Sequence, residues 1–337
     1  MRIAVVGSGS WGTALAMILG RNGHSVLLLG KDPDEISMLR LARENATYLP
    51  GFAIPDSVEY GLVQESGGDC ELAVLVTPSA AVVDVMRQEH LQPATWVVAS
   101  KGLLPGTGAI LTDFVTESRP QAKVAALSGP NLAVELARGI PTVAVAAAHD
   151  EALAEEVAHL FNSNKFRVYL SDDLTGVELS GALKNVYAIT AGISDGLGFG
   201  DNTKGALIAR ALYEMTKVGV ALGGRMETFF GIAGLGDLFA TGVSKLSRNY
   251  RAGYGVGQGR ALRTVMDEIG QVVEGVPTTE IGVRRVRQAG VQAPIMEGTH
   301  AVLAGAMSPR DGVGLLMDKL PKREGLGALI QQIAEGK

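Results

Sequence analysis

A single cysteine, Cys70, among 337 residues leaves no partner for an internal disulfide and no thiolate cluster for a metal. It opens an apolar stretch, where a small core residue is its plain role. Five histidines, at 24, 90, 149, 159 and 300, include no pair at helical metal-ligand spacing, so no metal is expected. Positive charge is also short: 30 Lys and Arg against 35 Asp and Glu give a net charge of −5. With no basic block, a nucleic-acid partner is not expected. No uninterrupted apolar run is long enough to cross a membrane. What remains is 47% hydrophobic residues in a chain long enough for two domains. The expectation is a soluble cytoplasmic protein.

The chain is organised around Met1 to Lys31, MRIAVVGSGSWGTALAMILGRNGHSVLLLGK. Ile3 to Val6 read as a buried strand, Thr13 to Leu19 as a helix and Ser25 to Leu29 as a second strand. Gly7, Gly9 and Gly12 fall between the first strand and the helix in the spacing G-x-G-x-x-G. That context lifts the motif above chance and points to a dinucleotide. Gly7 permits the tight turn, Gly9 lets the backbone approach a pyrophosphate, and Gly12 lets helix and strand pack closely. The helix N-terminus then offers free N–H groups to the phosphates. A signal peptide built on Arg2 and Ala14-Leu15-Ala16 is the alternative, but glycines break its apolar run and a strand follows at once.

An acid at the end of the second strand would bind the ribose 2′-hydroxyl of NAD. Here the strand ends Leu29-Gly30-Lys31, with a cation in place of the acid. This favours the 2′-phosphate of NADPH over NADH. The alternative leaves Lys31 as a solvated lysine and gives the ribose to Asp32 or Asp34.

Further strands are predicted at Leu72–Val76, Trp96–Ala99, Val124–Leu127, Thr142–Ala148 and Arg167–Leu170. Helices are predicted at 33–44 and 80–86, and Pro50 to Asp56 reads as a loop. Alternating strands and helices predict a parallel, doubly wound sheet. Ligands bind beyond the carboxyl ends of such strands. Thr77-Pro78, Ser100-Lys101-Gly102 and Ser128-Gly129-Pro130 follow strands directly, so they should share one edge with the glycine turn. Lys101 places a cation there, unless it is an ordinary loop lysine.

Past about Ser171 the strand runs disappear and Ala, Leu and Gly recur at helical spacing. The expected division is 1–172, a dinucleotide-binding domain, and 173–337, an all-helical substrate and catalytic domain. LSGALKNVYAITAGI (179–193) has one charge, Lys184. A lone lysine in an apolar helix either snorkels to solvent or is held inside for a purpose. TFFGIAGLGDLFATGVS (228–244) likewise has one charge, Asp237. Buried charges need partners, so these two are a natural pair, whether catalytic or a purely structural ion pair. Asp201 and Asn202 are expected to cap a helix from near Thr203. Ser247-Arg248-Asn249 offers a guanidinium fork and neutral donors to a phosphate, or is a polar surface cluster. Tyr254 to Arg260 reads as turns, 270–275 as a loop, and 284–288 and 295–304 as helices. The polar tail from Met307 carries no evident chemistry.

The ordered series GSGSWGTALA (7–16), SKG (100–102), SGP (128–130), GALKNVYAI (181–189), DGLGFGDNTK (195–204), AGLGDL (233–238), SRN (247–249) and GQVVEG (270–275) resembles the bacterial biosynthetic NAD(P)H-dependent glycerol-3-phosphate dehydrogenases. The resemblance runs to about residue 305. It implies reversible reduction of dihydroxyacetone phosphate to sn-glycerol 3-phosphate, the backbone precursor of glycerophospholipids, and a homodimer. By motif, Lys184 is implied as general acid/base, and Lys101 touches cofactor and substrate. Gly129, Asn131, Asp237, Ser247, Arg248 and Asn249 are implied in the substrate pocket. The glycine turn with Ser10 and Trp11, together with Lys31, Ala133, Arg248, Val272 and Glu274, is implied for the cofactor. The family commonly has Ser or Thr at the position of Asn131 and His or Arg at that of Lys31.

The chemistry suits a lysine. A hydride reaching the ketone carbon creates an alkoxide that Lys184 can protonate, and the reverse reaction reverses the proton. Burial and Lys101 would ease deprotonation of Lys184 while Asp237 would oppose it, a balance the residues leave open. Other readings are a related dehydrogenase for another substrate, a non-catalytic NAD(P)-binding regulator, or an interaction protein on this scaffold. SRN and DGLGFGDN argue against the first, and the Lys184 and Asp237 pair against the second.

Overall fold

The computed structural model describes residues 1–317 and Gly327. The tail at 318–326 and 328–337 lies outside the described residues. Contacts divide the chain into two units, Met1–Leu104 with Ala109–Leu174, and Pro105–Gly108 with Thr175–Lys337.

The first unit carries strands β1 (Arg2–Val6), β2 (Ser25–Gly30), β3 (Glu44–Asn45), β4 (Leu49–Ala53), β5 (Val58–Leu62), β6 (Leu72–Leu75), β7 (Thr95–Val98), β8 (Lys123–Ser128), β9 (Thr142–Ala147) and β10 (Phe166–Ser171). Its helices are α1 (Ser10–Arg21), α2 (Pro33–Ala42), α3 (Val82–Met86), α4 (Leu111–Ser118), α5 (Ala133–Ala137) and α6 (Glu151–Phe161). Among the described residues, eight strands form one sheet in the order β10-β9-β8-β7-β6-β1-β2-β5. Strands covered on both faces need apolar side chains in continuous runs. Accordingly Ile3 and Val5 of β1 join one core cluster, while Ala4 and Val6 join the cluster on the other face. Leu15, Met17 and Leu19 of α1 are fully buried in the first of these. Each such side chain contributes about 1.5–3 kcal/mol relative to exposure.

The sheet is mixed rather than wholly parallel. Strand β9 pairs antiparallel with β8, and β10 follows β9 in parallel. The β8–β9 link holds the five-residue helix α5, and the chain re-enters the sheet from the edge at which β8 ends. The segment after α2 also departs from the expected loop. Residues read as a loop at 50–56 include β4, which pairs with β3, and Val58–Leu62 adds an edge strand beside β2. Helix α2 ends at Ala42, because Arg43 takes the left-handed conformation and Glu44 enters β3.

The second unit contains α7 (Leu174–Gly196), which begins at the boundary, then α8 (Asp201–Ala221), α9 (Met226–Phe230) and α10 (Asp237–Val243). Next come α11 (Arg248–Gly257), α12 (Leu262–Ile269), α13 (Gly275–Gln288), α14 (Pro294–Leu303) and α15 (Pro309–Met317). A π-helical turn, Ile232–Gly236, leads into α10. Residues 254–257, read as turns, are the end of α11. Its glycines serve contact with α7 instead of turning the chain. A Cβ at Gly253 would lie 2.0 Å from Ile189 O, and one at Gly192 would lie 2.1 Å from Tyr250 O. The two helices therefore meet backbone to backbone, and any larger side chain would force them apart. Asp201 is the first residue of α8, with Gly200 at the cap position and no side-chain cap bond, so neither Asp201 nor Asn202 caps it. Pro277 sits in the first turn of α13, where a missing N–H costs nothing.

Among the described residues, no helix is long and apolar enough to cross a membrane.

Candidate active site

In the first unit, the ends of β1, β6, β7 and β8 share one edge because these strands run parallel to one another. Gly7 has φ +124°, and a Cβ there would meet Val76 C at 2.8 Å. A Cβ at Gly12 would meet Gly7 O at 1.8 Å, so helix and turn touch through the glycines. A Cβ at Gly9 would meet no protein atom within 4 Å. Gly9 caps α1 without a side-chain hydrogen bond, and Ser10 and Trp11 begin the helix. Backbone N–H groups at such a helix start suit a phosphate.

The neighbouring strand ends are tied to one another. Trp11 Nε1 donates to Ala99 O at 3.1 Å, and Ser100 Oγ donates to Thr77 O at 2.7 Å. Lys101 Nζ donates to Gly129 O at 2.7 Å, joining the two loops that sequence placed together. Gly129 has φ +140°, and Asn131 Nδ2 donates to Val143 O at 2.9 Å. Ala133 starts α5. Thr77 Oγ1, Ser128 Oγ and Asn131 Oδ1 are buried with no hydrogen-bond partner among the described residues. Buried polar atoms normally have partners, so three such atoms along this edge fit a polar ligand. With the open face of Gly9, they fit a dinucleotide.

Past β2, a Cβ at Gly30 would meet Ser8 Oγ at 2.6 Å, so no acidic side chain fits there. Lys31 is exposed. Asp32 caps α2, its carboxylate accepting from the N–H groups of Asp34 at 2.9 Å and Glu35 at 3.4 Å. That use of Asp32 weakens its alternative role as a ribose ligand.

In the second unit, Lys184 on α7 and Asp237 at the start of α10 are 6% and 1% exposed. Lys184 Nζ donates to Asp237 Oδ1 at 2.9 Å and to Thr241 Oγ1 at 2.6 Å. Thr241 Oγ1 in turn donates to the same Oδ1 at 3.0 Å. Lys184 is thus held inside and does not snorkel. Thr241 was missed in the sequence, although it lies one helical turn after Asp237 and so on the same face. A buried pair of this kind seldom stabilises more than apolar packing would, so its chemistry is the better account of its presence.

Ser247 caps α11, its Oγ accepting from Tyr250 N at 3.2 Å. Arg248 is the first residue of that helix. Burial lowers its pKa from the ordinary arginine value, and the Glu274 carboxylate opposes that shift. Asn249 Nδ2 donates to Asn185 Oδ1 at 2.8 Å, and Gly275 N donates to Asn249 Oδ1 at 2.9 Å. Val272 is 46% exposed in the segment before α13.

A glycine-turn dinucleotide fold followed by a helical unit with a buried Lys–Asp–Thr cluster defines the class of nicotinamide-dependent oxidoreductases. Residues 2–154 match the family model for the NAD-dependent glycerol-3-phosphate dehydrogenase N-terminus, and residues 173–314 match that for its C-terminus. The chain belongs to this family. It is 43% identical to a glycerol-3-phosphate dehydrogenase [NAD(P)+] of Desulfitobacterium hafniense, over 96% of this chain and 93% of that protein. It is 42% identical to one of Bacillus mycoides, over 96% of this chain and 97% of that protein. The crystal structure of glycerol-3-phosphate dehydrogenase from Coxiella burnetii superposes with a TM-score of 0.91 at 34% identity, covering 94% of this chain and 99% of that one.

Proposed function

We propose that the chain reduces dihydroxyacetone phosphate to sn-glycerol 3-phosphate and runs the reverse oxidation, with Lys184 as its general acid and base. The observation that carries this reading is the buried contact of Lys184 with Asp237 and Thr241. The bound nicotinamide supplies or accepts the hydride. In reduction, protonated Nζ gives its proton to the oxygen of the former ketone. In oxidation, neutral Nζ takes the hydroxyl proton before or as the hydride leaves. Asp237 supplies the counter-charge, and the Thr241 hydroxyl fixes where Nζ points. General acid/base groups contribute about 10² to 10⁴ in rate.

Lys101, Gly129 and Asn131 of the first unit, with Arg248 and Ser247 of the second, are our candidates for contact with the substrate. The start of α11 suits its phosphate: Arg248 offers a planar fork, and the helix start favours negative charge. The glycine turn, Ser10, Trp11, Ala133, Val272 and Glu274 are the cofactor candidates. Lys31 beside a crowded Gly30 favours NADPH over NADH. By this reading 1–172 binds dinucleotide and 173–337 brings the catalytic lysine. A homodimer in the cytoplasm, supplying the backbone of glycerophospholipids, completes the proposal.

The test is the loss of NADPH absorbance on adding dihydroxyacetone phosphate to the purified protein. Turnover with formation of sn-glycerol 3-phosphate is expected. NADPH binding without turnover would mean a regulator, and turnover only with a different carbonyl compound would mean a related dehydrogenase.

A further inference from the structure

We propose that Asn45 is a positioning residue for the cofactor's pyrophosphate. From the hairpin after α2 it holds the Ser8 carbonyl inward and so presents the Gly9 N–H to a phosphate. The proposal rests on the reading that the glycine turn holds the dinucleotide.

The orientation of the Asn45 carboxamide is determined by the backbone. Tyr48 N–H can only donate, so the Asn45 atom 3.0 Å from it is the oxygen. Both hydrogens of Nδ2 then face the glycine turn. One goes to Ser8 O at 2.8 Å and the other to Thr13 Oγ1 at 2.7 Å. Thr13 Oγ1 directs its own hydrogen to Ser8 O at 3.3 Å. Rotating the carboxamide would set Nδ2 against the Tyr48 N–H and its oxygen against Ser8 O. Asn45 and Thr13 are 2% and 1% exposed, so solvent does not compete for these bonds.

The effect on the turn follows from the planarity of the peptide bond. No peptide bond among the described residues is cis. In a trans peptide the C=O and N–H point to opposite sides. Two donors draw the Ser8 carbonyl into the core, so the N–H of the same peptide, that of Gly9, faces the other way. Gly9 is also the position where an added Cβ would meet no protein atom within 4 Å, so the space beside it is open. The flanking groups are already committed: Gly7 N donates to Leu29 O at 2.8 Å, and Gly9 O accepts from Thr13 N at 2.9 Å. Ser8 Oγ lies against Gly30, where an added Cβ would meet it at 2.6 Å. Asn45 itself is delivered by Arg43, whose left-handed backbone turns the chain from α2 into β3. The Arg43 guanidinium ties the hairpin down by donating to Pro55 O at 2.6 Å and Val58 O at 3.1 Å. The N–H is thus aimed before a ligand arrives, and a group aimed in advance loses less freedom on binding.

The experiment compares Asn45→Ala, Thr13→Val and Thr13→Ser with wild type on the full chain. It reads the NADPH dissociation constant from the fluorescence of bound NADPH, then kcat and KM for dihydroxyacetone phosphate at saturating NADPH. A charge-assisted hydrogen bond that loses its aim costs about tenfold to a hundredfold in affinity. We expect Asn45→Ala to weaken NADPH by about that much, with kcat and KM for the ketone little changed. Thr13→Val should act in the same direction, because it removes one bond to Ser8 O and leaves a hydrogen of Asn45 unpaired. Thr13→Ser keeps the hydroxyl and should retain most of the affinity. Glu44→Ala is the control for the hairpin: it deletes the carboxylate that accepts from Gly51 N at 2.8 Å and none of the bonds to Ser8 O. Its NADPH affinity should match that of wild type. Wild-type affinity in both Asn45→Ala and Thr13→Val overturns the proposal. So does a fall in kcat at unchanged affinity, or an equal loss of affinity in Glu44→Ala, either of which makes Asn45 a support of the hairpin alone. If Asn45→Ala does not fold, the Thr13 pair decides, and a serine variant as weak as the valine one overturns the proposal. Gly9→Val is assayed beside them. NADPH affinity surviving there defeats the reading that the glycine turn holds the cofactor. Affinity lost there but kept in Asn45→Ala and Thr13→Val defeats this inference alone.

Discussion

Lys184 Nζ lies 2.9 Å from Asp237 Oδ1, although 53 residues separate them in sequence. Both charges are almost wholly buried. Removing one partner of such a pair leaves an uncompensated charge and destabilises by about 3–5 kcal/mol. A purely structural pair and a catalytic one therefore differ in what happens when both charges go.

Lys184→Met should lower kcat by about 10² to 10⁴ and also lower stability. Lys184→Met combined with Asp237→Asn should recover part of that stability, because both charges of this contact are then removed together, while turnover stays lost. NADPH affinity should change little in either. Steady-state kinetics with denaturant unfolding on the two proteins decide the matter. If the double variant regains more than a tenth of wild-type kcat, the pair is structural.

Thr241 shares the cluster, so Thr241→Val tests whether its hydroxyl orients Nζ. Valine keeps the shape and removes a group bonded to both Lys184 and Asp237. About 1–3 kcal/mol of stability and roughly tenfold in kcat should be lost. Thr241→Ser, which keeps the hydroxyl, should retain most of the rate. A serine variant as slow as the valine one would show that the methyl group, not the hydroxyl, matters.

How far these features are visible in the sequence depends on the range of the force that creates them. Gly7, Gly9 and Gly12 act within one turn, so their spacing was enough to place them. Lys184 and Asp237 were each visible as a lone charge in an apolar segment, because an unpaired buried charge is costly wherever the chain goes. Helix α11 was misread because Gly253 and Gly257 answer to α7, a partner no local pattern reveals. The reversal at β9 is a matter of strand direction, which the alternation of strands and helices does not encode. Asn185 and Thr241 were missed because an amide or hydroxyl carries no burial penalty large enough to mark it.

Lys31 stands where an acid would bind a ribose hydroxyl, and crowding at Gly30 excludes an acid one residue earlier. Wild type should use NADPH at least as well as NADH. Lys31→Ala should lower kcat/KM for NADPH several-fold and leave NADH nearly unchanged, since an exposed cation gains only modest Coulomb energy. An unchanged ratio of the two cofactors would show that Lys31 does not read the 2′-phosphate.

Glu214 of α8 is buried and accepts from Ile295 N and Met296 N, each at 2.8 Å, at the start of α14. Burial pushes its pKa up from 4.5 to about 7, more strongly than these two N–H groups pull it down. Tyr187 also lowers it and Glu297 raises it. Between these two values the unfolded chain is ionised at this position and the folded chain is not. Stability from this group is therefore full below about pH 4.5 and falls as pH rises to about 7, by about 3 kcal/mol. Glu214→Gln lacks this titration. Denaturant unfolding of both proteins from pH 4.5 to 7.5 should show wild type losing its advantage over the variant as pH rises. A constant difference would place the folded pKa near the unfolded one.

Asp237 would repel a dianion, so the phosphate must be held by donors elsewhere. Arg248 is the first residue of α11, where the helix start already favours negative charge. Its neighbour Ser247 holds that start in shape by capping it. Glu274 acts on the guanidinium electrostatically, and burial makes the cation more costly than on a surface. A half-buried cation that is partly compensated gains from a second anion, which is what a substrate phosphate provides. A charge-assisted hydrogen bond is worth about 1.5–3 kcal/mol, or roughly 10- to 150-fold in affinity. Arg248→Ala should therefore lower kcat/KM for dihydroxyacetone phosphate by at least tenfold. Dihydroxyacetone, which lacks the phosphate, should be a poor substrate of wild type, and its slow turnover should hardly change in the variant. The measurement is kcat/KM for both ketones on both proteins at saturating NADPH, with NADPH affinity determined separately. Equal fractional losses for the two ketones, with weakened NADPH binding, would move Arg248 from the substrate phosphate to the cofactor. Equal losses with NADPH binding intact would make it a residue that shapes the start of α11 and reads neither phosphate.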